Sequence, residues 1–205
     1  ELGYPGGLWR KADLVAVKAP VFSMSKLAGV DTYLGPEMKS TGEVMGVDYD
    51  FRSAIAKALA ASGHTVSRGD AVLLSIADRD KAEAPPLVRA LVEAGCSLYA
   101  TEGTAAMLRA LGLPVALITR RIGEGNPNVV DVINDGTVNV VVNTVTGAAE
   151  ILRDGFEIRR AAAERQIPCF TSLDTARAAV ESLLHGPGAY SVRPTQEYLQ
   201  GKQGE

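Results

Sequence analysis

The stretch AVLLSIADRDKAEAPPLVRALVEAGCSLYATEGTAAMLRALG (71–112) decides the fold of this chain. Residues 71–77 form a short apolar run typical of a buried strand, and 96–100 form a second run of the same kind. The segment 79–95 predicts a helix with a Pro-Pro pair near its start and a glycine at its end, and 101–112 predicts another helix closed by a glycine. Two strand–helix units therefore follow each other directly.

The same alternation continues toward the carboxyl end. Apolar runs at 115–119, 138–144 and 168–172 predict three more strands, and the residues between and after them predict helices. Five apolar strands alternating with helices favour an α/β fold, a Rossmann-like five-stranded parallel sheet with helices on both faces. The three further helices are expected at 126–136, at 151–166 with its second half helical, and at 174–186.

The amino-terminal third reads differently. The Val-rich segment 14–23 predicts an extended strand, and 29–47 is a glycine-rich loop region without helical period. A helix is expected over 50–61, with an apolar stripe of Phe51, Ile55 and Leu59 at i, i+4 and i+8.

This change of pattern predicts two domains, 1–60 and 70–205, joined by a linker at 61–69. The tail 187–205 is expected to add a strand and a short helix. The chain begins without methionine and is expected to be a fragment or a processed piece.

Composition excludes several classes of function. The net charge is −3, from 21 Lys+Arg against 24 Asp+Glu, and 5% of residues are aromatic, so a nucleic-acid surface is not expected. No apolar run is long enough to span a membrane. Two cysteines and two histidines provide neither a disulfide framework nor a metal site, which favours a reducing, cytoplasmic location.

Small polar residues and cations follow several predicted strands. Ligands of open α/β sheets bind at the carboxyl ends of the strands, next to helix N-termini. These donors and cations therefore predict an anion-binding pocket. The candidates are Ser75, Lys81, Thr101, Thr104, Arg120, Arg121, Asn143, Thr144 and Thr146.

Each candidate also has a structural interpretation. The threonines of TEGT (101–104) could cap a helix, Asn143 could close an Asx turn, and Lys81 could be solvated surface. Catalytic equipment is not expected: no nucleophile–histidine arrangement, Walker loop or GxGxxG is present, and Asp131 is expected to cap a loop. The pattern describes a binding pocket better than a catalytic one.

One long segment resembles a known family. GPEMKSTGEVMGVDYDFRSAIAKAL (35–59) resembles the end of the second synthetic unit of the carbamoyl-phosphate synthase large chain. The remainder resembles that family's carboxyl-terminal, methylglyoxal-synthase-like allosteric domain. The motifs are LLSIADRDK (73–81), ATEGTAAMLRALG (100–112), RRIGEGNPNVVDVINDG (120–136), VNTVTG (142–147) and IRRAA (158–162).

The resemblance implies that 1–60 is the tail of an ATP-grasp synthetic domain and 70–205 an allosteric domain. The parent enzyme would be a glutamine-hydrolysing, ATP-dependent ligase that makes carbamoyl phosphate for pyrimidine and arginine synthesis. Its partners would be the rest of the large chain, a glutaminase small subunit and a UMP or IMP effector. ATP and Mg²⁺ or Mn²⁺ would bind elsewhere in the parent, so no cofactor, metal or catalytic residue is expected here.

The positions that bind the effector phosphate in this family correspond to residues already proposed for the anion-binding pocket. One family threonine falls on Val145, with Thr146 next to it, and a family lysine falls on Arg121 across a one-residue shift. Lys81 and Thr104 are expected near solvent. The matching residues are Ser75, Lys81, Thr101, Thr104 and Asn143.

Two further sets of family positions have counterparts. Asp154 and Thr171 match contacts of an ornithine activator site whose acidic contact is Ala19 here, so this site is expected to be a vestige. Lys18 and Glu43 match residues that line the carbamate tunnel, although they could equally form a partly exposed ion pair.

The alternative function is a stand-alone lyase of the methylglyoxal synthase type, which acts on dihydroxyacetone phosphate. Such enzymes carry a catalytic aspartate stretch after the third strand, where this chain has GEGNP (123–127). A shared fold does not transfer an activity.

Overall fold

The structure, a computed structural model, describes residues 13–21, 40–120, 122–144, 149–184 and 191–199. The elements within these residues are, in chain order, β1 (Val15–Val21), β2 (Gly42–Asp48), α1 (Phe51–Ser62), β3 (Ala71–Ser75), a 3₁₀ turn (Asp78–Asp80), α2 (Pro85–Glu93), β4 (Ser97–Thr101), α3 (Glu102–Ala110), β5 (Leu117–Thr119), α4 (Asp131–Asn134), β6 (Val140–Asn143), α5 (Ala149–Glu164), β7 (Cys169–Phe170), α6 (Leu173–Leu184) and α7 (Thr195–Leu199).

Strands β3 to β7 form one parallel sheet, in the spatial order β5-β4-β3-β6-β7. The central strand of this sheet is β3. Strands β4 and β5 are added on one side of β3, and β6 and β7 on the other side, so the direction of addition reverses after β5. Ligands of open α/β sheets bind at such a reversal point, outside the carboxyl ends of the strands. The crevice expected to bind a ligand therefore lies at the carboxyl ends of β3 and β6.

Both faces of this sheet are covered, which confirms the predicted fold class. Along β3, Val72 and Leu74 point into one core cluster and Leu73 into the other, and all three are fully buried. Successive strand residues face opposite sides, so a sheet buried on both faces needs unbroken apolar runs. This is why the five strands could be recognised from their sequences.

The expectation of a loop region at 29–47 is wrong at its end, because Gly42–Asp48 is strand β2 and pairs antiparallel with β1. Residues 29–39 lie outside the described residues. The glycines that suggested a loop serve packing instead. A Cβ on Gly46 would lie 2.0 Å from the carbonyl oxygen of Ala54 and 2.5 Å from the backbone nitrogen of Ala58. Only glycine allows α1 to approach β2 this closely.

Helix α1 begins and ends as predicted, but its buried face differs. Asp50 caps it by accepting a hydrogen bond from Ser53 N at 2.9 Å, and Gly63 ends it in the left-handed conformation. Phe51, the first residue of the predicted stripe, is 58% exposed, whereas Leu59, its last, is buried together with Ala54 and Ala58. The buried face follows the small residues because the helix lies so close to β2.

Two other predicted helices have different bounds. The helix expected at 126–136 is only Asp131–Asn134, because the Asn128 side chain accepts hydrogen bonds from the N–H groups of Val130 and Asp131 and holds a turn there. Asp131 accepts from Asn128 N at 2.9 Å, so its predicted capping role is confirmed. Helix α5 is helical from Ala149 to Glu164 rather than in its second half alone.

The carboxyl-terminal helix α7 returns to the amino-terminal elements. Lys57 Nζ of α1 lies 2.6 Å from the Tyr198 hydroxyl and 2.8 Å from Asp48 Oδ2. Burial lowers the pKa of Lys57, but hydrogen bonds to Asp48 and Tyr198 outweigh burial and raise it. The predicted tail thus contains its short helix, while residues 191–194 form no strand. The boundary between 1–60 and 70–205 stays a prediction, and Leu59 of α1 joins the core of the parallel sheet.

Candidate anion-binding site

The carboxyl ends of four neighbouring strands carry a row of polar residues. Thr119 is paired with Thr101, and Ser75 is paired with Asn143. Ser75 and Thr101 each directly follow the last registered pair of β3 and β4, so all four residues lie at one level of the sheet. The register therefore assembles at one edge groups that the sequence spreads over 69 positions, from 75 to 143.

Thr101 lies at the start of α3 without capping it. Its side chain makes no capping bond to the helix and instead donates to Thr104 Oγ1 at 3.1 Å. The first-turn N–H groups of α3 are thus not satisfied by this threonine, and the helix dipole adds partial positive charge there. The uncapped N–H groups and the positive end of the helix dipole together favour the binding of an anion at the start of α3.

Thr104 is buried, so the expectation that it lies near solvent is wrong. Its side chain is 1% exposed, and its Oγ1 accepts a hydrogen bond from Ile76 N at 3.0 Å. This bond satisfies a backbone N–H as the chain leaves β3. Thr104 therefore holds the backbone at Ile76 in place, and its hydroxyl oxygen is already engaged in that bond.

Thr144, directly after β6, also accepts a hydrogen bond from a backbone N–H of the segment that follows β3. Its Oγ1 accepts from Ala77 N at 2.9 Å, and its own N–H donates to the Ser75 carbonyl at 3.0 Å. The hydroxyls of Thr104 in α3 and of Thr144 after β6 therefore hold the segment between β3 and the 3₁₀ turn. Ser75 itself is half-buried at the end of β3.

Lys81 reaches this edge from the loop after β3. Its Nζ lies 3.1 Å from the position that a Cβ on Gly103 would occupy, against the first turn of α3. It also pairs with Asp78 at 2.6 Å, and this hydrogen bond lowers the pKa of Asp78, whose side chain is 94% exposed. Lys81 is half-buried at the candidate site and is not the solvated lysine of the structural interpretation.

Asn143 is held from behind by a residue that sequence reasoning did not select. Arg159 of α5 donates from Nη1 to Asn143 Oδ1 at 3.1 Å, and both residues are 2% exposed. The available signal was an arginine that interrupts the apolar face of α5 between Ile158 and Ala162. An Asx turn does not describe Asn143, because its oxygen is taken by this distant guanidinium.

The remaining effector candidates are located less fully. Arg121 and Thr146 lie outside the described residues. Arg120 is exposed at the end of β5, where its backbone bridges to Asn128 and its side chain lies beside Gly125. The structure therefore brings together Ser75, Lys81, Thr101, Thr104, Asn143 and Thr144.

The ornithine and tunnel candidates lie in different parts of the fold. Thr171 directly follows the last registered pair of β6 and β7, so it lies next to Asn143 at the level of the row. Asp154 is on α5, and both residues are half-buried. Lys18 and Glu43 form an ion pair at 2.6 Å across the antiparallel pair of β1 and β2, with side chains 65% and 47% exposed. This matches the predicted alternative of an exposed pair, which contributes at most about 1 kcal/mol. The tunnel role stays a prediction.

Across the part of the chain that the structure describes, no three His, Cys, Asp or Glu residues converge as metal ligands. No helix in those same ranges is long and apolar enough to cross a membrane.

Two comparisons with known proteins give matches. Residues 83–171 match the family model of the MGS-like domain. This stretch contains strands β4 to β7 and helices α2 to α5, and hence the greater part of the site.

The chain as a whole is 56% identical, over 198 residues, to a carbamoyl phosphate synthase large chain from Thermomicrobium roseum. That match covers 97% of this chain and 18% of the relative's length. The resemblance drawn from the sequence is confirmed, and the chain corresponds to less than a fifth of that relative.

Proposed function

We propose that this chain is the carboxyl-terminal regulatory part of a carbamoyl-phosphate synthase large chain, and that the polar row binds the phosphate of a nucleoside monophosphate such as UMP or IMP. One observation carries the proposal: Lys81 Nζ lies against the uncapped first turn of α3, beside Thr101. Positive charge and the first-turn N–H donors of α3 meet there at the carboxyl end of β4, next to the strand that borders the reversal point. That combination suits a small dianion.

The binding mode follows from the chemistry of these groups. A monophosphate near neutral pH carries about −1.5 to −2 charge, like a phosphorylated side chain. The N–H groups of α3 and the Thr101 hydroxyl would donate to phosphate oxygens, while Lys81 would exchange its bond to Asp78 for the ligand. The base and ribose would then extend toward Ser75 and Asn143 across the crevice.

The parent enzyme would carry the catalysis. On this proposal ATP and Mg²⁺ or Mn²⁺ bind in its synthetic domains, and a glutaminase small subunit delivers ammonia. Residues 1–60 would be the end of an ATP-grasp domain, and the contacts of α7 with Lys57 would join it to the regulatory domain. The location would be cytoplasmic.

The alternative lyase is not favoured. At the positions where that enzyme type carries its catalytic aspartate, this chain has exposed Gly123 to Asn126 followed by Pro127. The nearby Asp131 is engaged with Asn128 N as a cap. A phosphate pocket without a positioned acid or base binds but does not catalyse elimination.

Calorimetric titration of the 205-residue chain with UMP and with IMP tests the proposal. Replacing Lys81 by alanine should weaken the preferred nucleotide about tenfold, equivalent to ~1.4 kcal/mol. Arg79→Ala is the matched control, because Arg79 is a cation two residues away whose side chain is 65% exposed and paired with Asp80. Absence of binding to the wild-type chain at millimolar nucleotide would overturn the proposal, as would equal losses in the two variants.

A further inference from the structure

Helix α5 carries a buried arginine directly behind the candidate site. Arg159 is 2% exposed and is the largest fully buried side chain among the described residues. Its neighbours Ile158 and Ala162 belong to the apolar core on that side of the sheet. Removing a charge from water costs several kcal/mol, so a guanidinium at this position calls for a reason.

The arginine determines how Asn143 is oriented. A guanidinium has five N–H donors and no acceptor, so the group facing Arg159 Nη1 must be the amide oxygen of Asn143. The Nδ2 group then points away from α5. Within the described residues its protons have no hydrogen-bond acceptor, so they remain available at the carboxyl edge of β6.

We propose that Arg159 is a positioning residue for effector binding, a role that rests on the proposed function. It fixes Asn143 with Nδ2 toward the nucleotide, where the amide donates to an acceptor on the ligand.

The proposal predicts a pattern among substitutions at one position. Arg159→Lys keeps a donor-only cation and should retain most of the UMP affinity. Arg159→Met removes donor and charge, and Arg159→Gln introduces an amide that can accept as well as donate, so Asn143 is no longer held in one orientation. Both should weaken UMP about tenfold.

Calorimetric titration with UMP on the full 205-residue chain measures these effects, and thermal melting records stability separately. Arg160→Met is the matched control, because Arg160 is the next residue of α5, is exposed, and pairs with Glu157 and Glu164. It should leave affinity unchanged.

A double-mutant cycle tests whether Arg159 acts through Asn143. Asn143→Ala alone should weaken UMP about tenfold, and adding Arg159→Met should cost little more, because the two residues act as one unit.

Additive losses, or a folded Arg159→Met chain with wild-type affinity, would overturn the inference. If Arg159→Met does not fold, the UMP affinities of Arg159→Lys and Arg159→Gln are compared instead, and equal affinities of these two variants would overturn the inference. Wild-type protein that binds no nucleotide would instead refute the proposed function, and that result needs no variant.

Discussion

Replacing Thr104 by valine should destabilise the protein as well as weaken the nucleotide. Valine keeps the shape of the side chain but removes the oxygen that accepts from Ile76 N at 3.0 Å. Thr104 is 1% and Ile76 6% exposed, so water cannot easily replace the lost partner. A buried N–H left without an acceptor costs about 1–3 kcal/mol. For a chain of this size that corresponds to a melting temperature about 2–12 °C lower.

Differential scanning calorimetry and urea unfolding measure this loss. Thr101→Val is the control, because it removes the neighbouring hydroxyl, 3.1 Å from Thr104 Oγ1, but leaves the bond to Ile76 in place. It should cost less than half as much stability while still weakening UMP. The reasoning is refuted if Thr104→Val melts like the wild type, or if the Thr101 variant is equally destabilised.

Three further predictions concern other parts of the chain. Asp78→Asn should tighten UMP about two- to fivefold in calorimetry, because a surface pair that holds Lys81 contributes ~0.4–1 kcal/mol; weaker binding would contradict this. Burial raises the pKa of the Cys169 thiol to about 12, so in the folded chain this thiol should stay protonated at pH 8 and resist alkylation by iodoacetamide. In the urea-unfolded chain the same thiol should react, and mass spectrometry measures the modification. Rapid alkylation of Cys169 in the folded chain would contradict this. Gly46→Ala should lower the urea midpoint by the equivalent of about 1–3 kcal/mol or more, since the new methyl group would overlap the Ala54 carbonyl; an unchanged midpoint would contradict this.

The sequence predicted what depends on local pattern. Apolar runs such as 71–77 and 138–144 must be strands buried on both faces, because in a parallel sheet successive side chains enter two different cores. Glycines at helix ends marked where the helices stop. The 35–59 segment and the strand-end motifs carried the family resemblance, since they are long enough to be specific.

Prediction failed where a local signal had a non-local cause. Glycines in 29–47 suggested a loop, but Gly46 lies in strand β2. It is glycine because α1 crosses the strand there at a distance that admits no Cβ. Phe51 fitted a helical stripe, yet α1 turns its alanines toward that strand and leaves the aromatic ring 58% exposed. Neither contact can be read from residues that are neighbours in sequence.

The candidate site divides in the same way. Sequence alone determined which residue types stand at the strand ends, because a threonine or an asparagine after an apolar run is visible in one dimension. Tertiary structure decided their roles. Strand register aligned Thr101, Ser75 and Asn143 in one row, and burial turned Thr104 from a solvent-facing donor into a support for Ile76. The contact of Arg159 with Asn143 exists only because α5 folds back across β6, and hydrogen bonds depend on distance in space, which spacing along the chain does not fix.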